Sequence, residues 1–277
     1  MTTFDTTYQA LIKKIMDEGI EEYNERTGKK VKALPGVTFQ IDLEKDGFPI
    51  LTLRKSPFRS AIAECIWFIS GKKDPTFLRK FTKMWDLFLE EDGTIAAAYG
   101  YRWRHAFGKD QLGSLIELLQ KDASSRHGVV ITWDPKDDGY GGTTKKNVPC
   151  PFTFTVNIIG GRLHLHNIIR SNDMMLGCPF DVLGFSLLTC ILAQKLNVKP
   201  GIYTHSISNA HIYENHYGGA LELIKRSHDH SPISLSLPEK SFERAEALDE
   251  NLVIEIFESL QKQYNPLEPI SGLTISV

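Results

Sequence analysis

The chain has 277 residues, 42% hydrophobic and 24% charged, the make-up of an ordinary globular protein with a sizeable core and not of a disordered chain. Its 32 Lys and Arg against 34 Asp and Glu leave a net charge of −2, which gives no support to a duplex-DNA binder. No apolar run approaches the roughly 18 residues of a membrane span, and Met1 to Asp5 lacks the basic-then-apolar layout of a signal peptide.

Tyr8, Leu11, Ile12, Ile15 and Met16 recur at helical spacing, and Asn24-Glu25-Arg26-Thr27-Gly28 breaks that pattern ahead of a basic Lys29-Lys30 turn. Val37 to Leu43 alternates as a strand. Ser56 to Phe68 predicts a second helix, with Pro57 in its first turn and a stripe at Phe58, Ile62 and Ile66. Asp110 to Leu119 predicts another helix and Val129 to Trp133 a buried strand, and the polar, Gly-rich stretch Asp134 to Lys146 reads as a mobile loop. Phe152, Phe154, Val156 and Ile158 alternate with polar neighbours, Gly160-Gly161 makes a turn, and Leu163, Leu165 and Asn167 alternate with His164 and His166, so a hairpin is predicted. Val182 to Leu196 carries no charge before Lys195 and predicts a buried helix. Asn209 to Ile224 predicts a further helix, and Ser227 to Ser241, with Pro232 and Pro238, a loop-rich excursion. There is no repeat and no linker, so residues 1–277 read as one α+β domain.

The four cysteines, Cys65, Cys150, Cys178 and Cys190, form no C-x-x-C pair. That excludes a zinc knuckle or a thioredoxin motif and makes a reducing, cytoplasmic compartment the default. Cys150 stands between Pro149 and Pro151 at the start of a strand, so its thiol is held in one direction. It is either a buried structural cysteine or a nucleophile, which would need a nearby cation. Arg170-Ser171-Asn172-Asp173 would supply a cation and anion-binding groups, or is a solvated turn. The His164/His166 and His228/His230 pairs lack a Cys or carboxylate at zinc spacing, so no metal is expected. Gly139 to Gly142 matches neither a nucleoside-triphosphate loop nor a dinucleotide fingerprint.

Taken in order, these segments resemble the thymidylate synthase family over nearly the whole chain. Glu25-Arg26-Thr27-Gly28 is similar to its phosphate-gripping Asp-Arg-Thr-Gly, Phe48-Pro49-Ile50-Leu51-Thr52 to Phe-Pro-Leu-Leu-Thr, and Glu64-Cys65-Ile66-Trp67-Phe68 to Glu-Leu-x-Trp-Phe. Met84-Trp85-Asp86, Tyr99 to Arg104, Ser125-Arg126, Trp133-Asp134-Pro135, Pro149-Cys150, Arg170 to Asp173, Leu176 to Phe180 and His211 to His216 follow in family order. Thr274-Ile275-Ser276-Val277 resembles the family's short apolar tail. The resemblance implies a single mixed sheet packed with helices, a homodimer, and 5,10-methylenetetrahydrofolate as cosubstrate. It implies that Arg26, Arg170 and Ser171 hold a nucleotide phosphate with Arg126 reaching across from the partner, guanidinium forks suiting a dianion. His211 and Tyr213 would hold the sugar 3′-hydroxyl, and Trp85, Asp173, Leu176, Gly177, Phe180 and Val277 would line the folate pocket. Cys150 would add to C6 of a pyrimidine, with Glu64 and Tyr99 around the proton lost from C5.

The departures from the family pattern bear on the substrate. The family's Asn in Pro-Phe-Asn is Asp181 here. An amide matches uracil, which offers an acceptor at O4 and a donor at N3; cytosine reverses that edge, and a carboxyl sharing a proton with N3 satisfies both of its atoms. Asp181 therefore favours cytosine and resembles the deoxycytidylate hydroxymethylase branch. Pro151 replaces the usual His after the nucleophile, His127 an Arg, Ile169 a Gln, Asn209 an Asp and Phe88 a second Trp. Hydride from the folate would give a 5-methyl product and dihydrofolate; water would give a 5-hydroxymethyl product and tetrahydrofolate. Retained Trp85 and the apolar tail favour hydride by excluding water, so methylation of dCMP is the leading expectation, and Ser171 resembles deoxynucleotide-acting members. Hydroxymethylation of dCMP, a divergent thymidylate synthase acting on dUMP, and a pyrimidine-nucleotide-binding module without catalysis are the alternatives. The expected setting is the cytoplasm, that of a host cell if the chain is phage-encoded and makes a modified DNA base.

Overall fold

The stripe from Tyr8 to Met16 winds into α1 (Thr3–Glu18), begun by a capping box in which Thr2 and Asp5 satisfy each other's backbone amides. Asp5 is fully buried because it also accepts from the Thr52 amide at 2.8 Å and the Thr52 hydroxyl at 2.6 Å. The structure is a computed structural model that describes residues 1–25, 27–139 and 148–275.

The helices after α1 are α2 (Phe58–Ser70), α3 (Tyr99–Tyr101), α4 (Gln111–Lys121), α5 (Gly177–Lys195), α6 (Tyr217–Lys225), α7 (Ser241–Glu246) and α8 (Glu250–Gln261). The strands are β1 (Ile20–Asn24), β2 (Lys29–Asp42), β3 (Val129–Ile131), β4 (Pro151–Ile159), β5 (Arg162–Ile169), β6 (Asn172–Asp173) and β7 (Lys199–Tyr213). Among the described residues they form one mixed sheet in the order β1-β2-β7-β5-β4-β3, with β6 also on β7. The β5–β7 and β6–β7 pairs are parallel and the others antiparallel. This is the α+β single domain expected.

Tyr203, His205 and Ile207 of β7 and Leu163, Leu165 and Asn167 of β5 are buried, whereas the residues between them are half-exposed, the period of two of a one-sided sheet. Helix α5 packs against β5, β7 and α2. Contrary to expectation, α5 is long and apolar enough to cross a membrane, but 72% of its apolar window is buried, so it is the central core helix.

Three other expectations are corrected. Asn209 to Tyr213 is strand, because β7 is hydrogen-bonded to β2 through Tyr213; the chain turns at Glu214–His216, and helix begins only at Tyr217. Lys29 and Lys30 open β2 and do not form the turn. β3 is an edge strand in which Val130 alone is buried, Val129 and Ile131 being 48% and 47% exposed.

Candidate active site

Cys150 sits at the bend before β4. A register shift between Pro151 and Thr153 kinks the strand there, and the Thr132 and Trp133 amides both donate to the Phe152 carbonyl. Such a bulge re-aims neighbouring side chains. The Arg170 amide donates to the Cys150 carbonyl at 2.9 Å. The Arg170 guanidinium donates to the carbonyls of Pro149 at 2.8 Å and Val148 at 3.0 Å, and lies 4.0 Å from Cys150 Sγ. The guanidinium carbon also lies over the Trp133 ring, 5.8 Å from its centre, a cation–π contact. One side chain thus fastens the cysteine loop and sets a positive charge beside the sulfur, the surroundings that favour a thiolate.

Tyr99 reaches the same loop, its hydroxyl lying beside the Cys150 backbone. It is placed there by Gly100: a Cβ at that position would stand 1.9 Å from the Phe68 carbonyl oxygen, so only glycine lets α3 close on the end of α2. Burial, followed by the neighbouring Cys150 and Asp181, pushes the Tyr99 hydroxyl well above the usual range. Glu64, from α2, is raised to about 8, mainly by burial and partly by Asp181; the Trp85 indole opposes this. Glu64 Oε1 and Trp85 Nε1 are nonetheless both buried without a hydrogen bond of normal geometry. Trp85 is only 6% exposed, boxed in by Trp67, Phe68, Phe88 and Tyr99.

Asp181 lies in the first turns of α5 and keeps a little exposed surface, yet burial raises its carboxyl to about 7 against the opposing hydrogen bond from Asn172 Nδ2 at 2.8 Å. Glu64 and Asp181 are the two acids on the wall of a cleft otherwise lined by Phe68, Trp103, Phe180, Phe185 and Leu188 and by smaller residues including Gly184. Gly184 is a helix-interior glycine whose added Cβ would meet nothing within 4 Å. Gly184→Ala is therefore expected to stabilise the fold by about 0.5–1 kcal/mol, read as a raised urea midpoint.

The acids also predict a pH dependence. Their folded pKa values stand above the unfolded ones, so the folded state holds protons the unfolded chain releases, and stability is lost as pH rises through about 7 and then about 8. Buried His205, lowered to about 3, works in the opposite direction, but its gain is complete near the ordinary histidine pKa of about 6.5. The melting temperature should fall from about pH 6.5 to 8.5, by a few degrees, and Glu64→Gln should flatten most of that fall. A Glu64→Gln curve parallel to the parent's would show that Glu64 is not the source.

The remaining expected site residues fall into three groups. β6 pairs with β7 so that Asp173 stands opposite His211, and the His211 and Tyr213 rings meet at 5.0 Å, both buried. Ser171 and Asp173 are half-buried beside them; Asp173 Oδ1 accepts from the Met175 and Leu176 amides, leading into α5 past half-buried Leu176, Gly177 and Phe180. Arg126 is exposed, and among the described residues no hydrogen bond or ion pair brings it to the cluster. Arg26 and Val277 lie outside the described residues, as does the 140–147 part of the expected loop. Its described start is clamped by buried Arg102, paired to Asp134 at 3.2 Å and Asp138 at 3.1 Å. The tail is docked as far as Thr274, whose carbonyl lies 2.9 Å from His216 Nε2.

The histidine pairs are tied into the fold: both His164 ring nitrogens bond backbone groups, and His228 and His230 bond the Asn265 and Ser231 carbonyls. Sequence reasoning missed Trp133 beneath Arg170, and Tyr203 and His205 behind Asp181, since nothing in an alternating strand marks one inward residue as polar-bonded. Residues 6–270 match the family model described as thymidylate synthase.

Proposed function

Because the chain belongs to the thymidylate synthase family, we propose that it transfers a one-carbon unit from 5,10-methylenetetrahydrofolate to C5 of dCMP, giving 5-methyl-dCMP and dihydrofolate. Members of the family take a pyrimidine nucleotide and this folate as cosubstrates. The observation that carries the cytosine reading is Asp181: a carboxyl raised to about 7 and held by one amide is poised to share a proton with N3 while accepting from N4.

Cys150 is the nucleophile for C6, half-buried at the entry to β4 and accompanied by the Arg170 charge. Adding a thiolate there makes C5 nucleophilic. Glu64, carrying a proton near neutral pH, and Tyr99 stand where proton movement at the ring is needed. Arg26, Arg170 and Ser171, with Arg126 of a second copy in a homodimer, take the phosphate, and His211 and Tyr213 the sugar. The folate-side residues fit a flat conjugated ring. Leu176, Gly177 and Phe180 give a partly open apolar wall, and among the described residues Asp173 Oδ2 makes no hydrogen bond and the buried Trp85 indole N–H, beside Glu64, makes none of normal geometry. Val277 would close the site from the tail. The folate supplies the carbon unit and the hydride; the chain's part is to orient both substrates and exclude water.

Hydroxymethylation is the second reading, favoured by the two carboxyl groups on the cleft wall, which would attract water. Product mass decides. Incubation with methylenetetrahydrofolate and dCMP, with dUMP in parallel, should give a dCMP product heavier by one CH₂. A gain of CH₂O replaces methylation by hydroxymethylation. Turnover of dUMP alone overturns the cytosine reading.

A further inference from the structure

Behind Asp181 runs a chain of buried side chains with no role in the chemistry above. Asn172 Nδ2 donates to Asp181 Oδ2 at 2.8 Å, and Asn172 Oδ1 lies 3.0 Å from His205 Nε2. His205 Nδ1 lies 2.6 Å from the Tyr203 hydroxyl, which Asn167 Nδ2 reaches at 3.5 Å. Asn167, Tyr203 and His205 are fully buried and Asn172 nearly so. They come from β5, β7 and β6, so the sheet itself fixes their spacing.

A chain of this kind has a direction. An amide that donates to Asp181 must turn its oxygen to His205. His205 must then donate from Nε2 and accept at Nδ1, so Tyr203 donates to Nδ1 and accepts from Asn167. At the far end, Asn167 Oδ1 is then a buried acceptor without a partner among the described residues. A single proton on His205 is required, and burial, with His166 adding to it, holds the imidazole neutral. In the opposite direction every bond inverts: His205 carries its proton on Nδ1, and Asn172 presents its oxygen to Asp181.

We propose that His205 is a positioning residue for base recognition: by fixing the Asn172 amide it makes Asp181 Oδ2 an acceptor and leaves the carboxyl proton to Oδ1. The acid then meets the ligand with one donor and one acceptor in a set order, the complement of cytosine N3 and N4. This rests on the deoxycytidylate reading, but the direction of the chain does not.

Two measurements test it. Long-range proton–nitrogen NMR on the unmodified protein should find His205 as the Nε2–H tautomer; an Nδ1–H tautomer overturns the proposal by itself, whatever the substrate. The ratio of kcat/KM for dCMP over dUMP is then compared in His205→Phe and His205→Gln. Phe frees the Asn172 amide and should lower the ratio about tenfold, mostly through KM for dCMP, the worth of one misdirected buried hydrogen bond. Gln restores a donor near the Nε2 position and should recover the ratio to within about threefold. Equal losses in both variants, or an unchanged ratio in Phe, overturn the positioning role. A parent enzyme that prefers dUMP overturns the cytosine reading, and the tautomer then still decides the direction of the chain.

Discussion

Cys150→Ser is expected to lower turnover of dCMP by at least about 10³-fold while leaving nucleotide affinity within about threefold. A serine hydroxyl is a far weaker nucleophile than a thiolate, and the Arg170 charge 4.0 Å from the sulfur does too little to ionise it. The fold should be unaffected, because the loop is held by backbone carbonyls that Arg170 grips and by the Arg170 amide on the Cys150 carbonyl, none of which involves the sulfur. Single-turnover assays with methylenetetrahydrofolate and calorimetric titration of dCMP separate the two effects. Full activity in the serine variant would remove Cys150 from the chemistry. Equal loss of binding and turnover would make it a structural residue.

Asp181→Asn is expected to move preference from dCMP to dUMP, changing the ratio of their kcat/KM values by about 10²-fold. The substitution is nearly isosteric, and the Asn172 amide that now donates to Asp181 Oδ2 at 2.8 Å would turn its oxygen to the new nitrogen, with His205 changing tautomer to follow it. The new amide then offers N–H to uracil O4 and oxygen to N3–H, whereas the carboxyl was matched to the reversed edge of cytosine. The variant should also lose the part of the pH dependence that belongs to an acid raised to about 7. Retained dCMP preference would sink the role given to Asp181 while leaving the nucleophile untouched.

Much of the fold is legible in the sequence where one pattern dominates locally. The stripe of α1, the hairpin of β4 and β5 around Gly160-Gly161, and the uncharged run of α5 each answer to a single period. The reading fails where tertiary pairing decides. Asn209 to Tyr213 has no strong alternation, and it is strand because β2 pairs along its whole length. α8 has an Asp249 cap and a buried stripe at Leu252, Val253, Ile256 and Leu260, and was readable on its own terms but went unread. At the site, Cys150 between two prolines was visible as an unusual thiol. Its approach to Arg170 was not, because twenty residues and a hairpin separate them. The Asn172–His205 contact was still less so: it needs a two-residue strand laid parallel beside β7, and no local rule specifies that.

The grip of Arg170 on the cysteine loop ties together two properties that evolution or design would otherwise tune apart. Its Nε and one terminal nitrogen are committed to the carbonyls of Pro149 and Val148, and its charge lies over the Trp133 ring. Lysine could supply the charge, but as a point donor with no plane to stack and too few fixed directions to hold two carbonyls. The electrostatics of the thiol and the shape of its loop are therefore inherited as one trait. A library that varies position 170 to adjust reactivity will return misplaced loops before it returns graded thiols, whereas substitutions at Trp133 shift the guanidinium without removing it and offer the finer control.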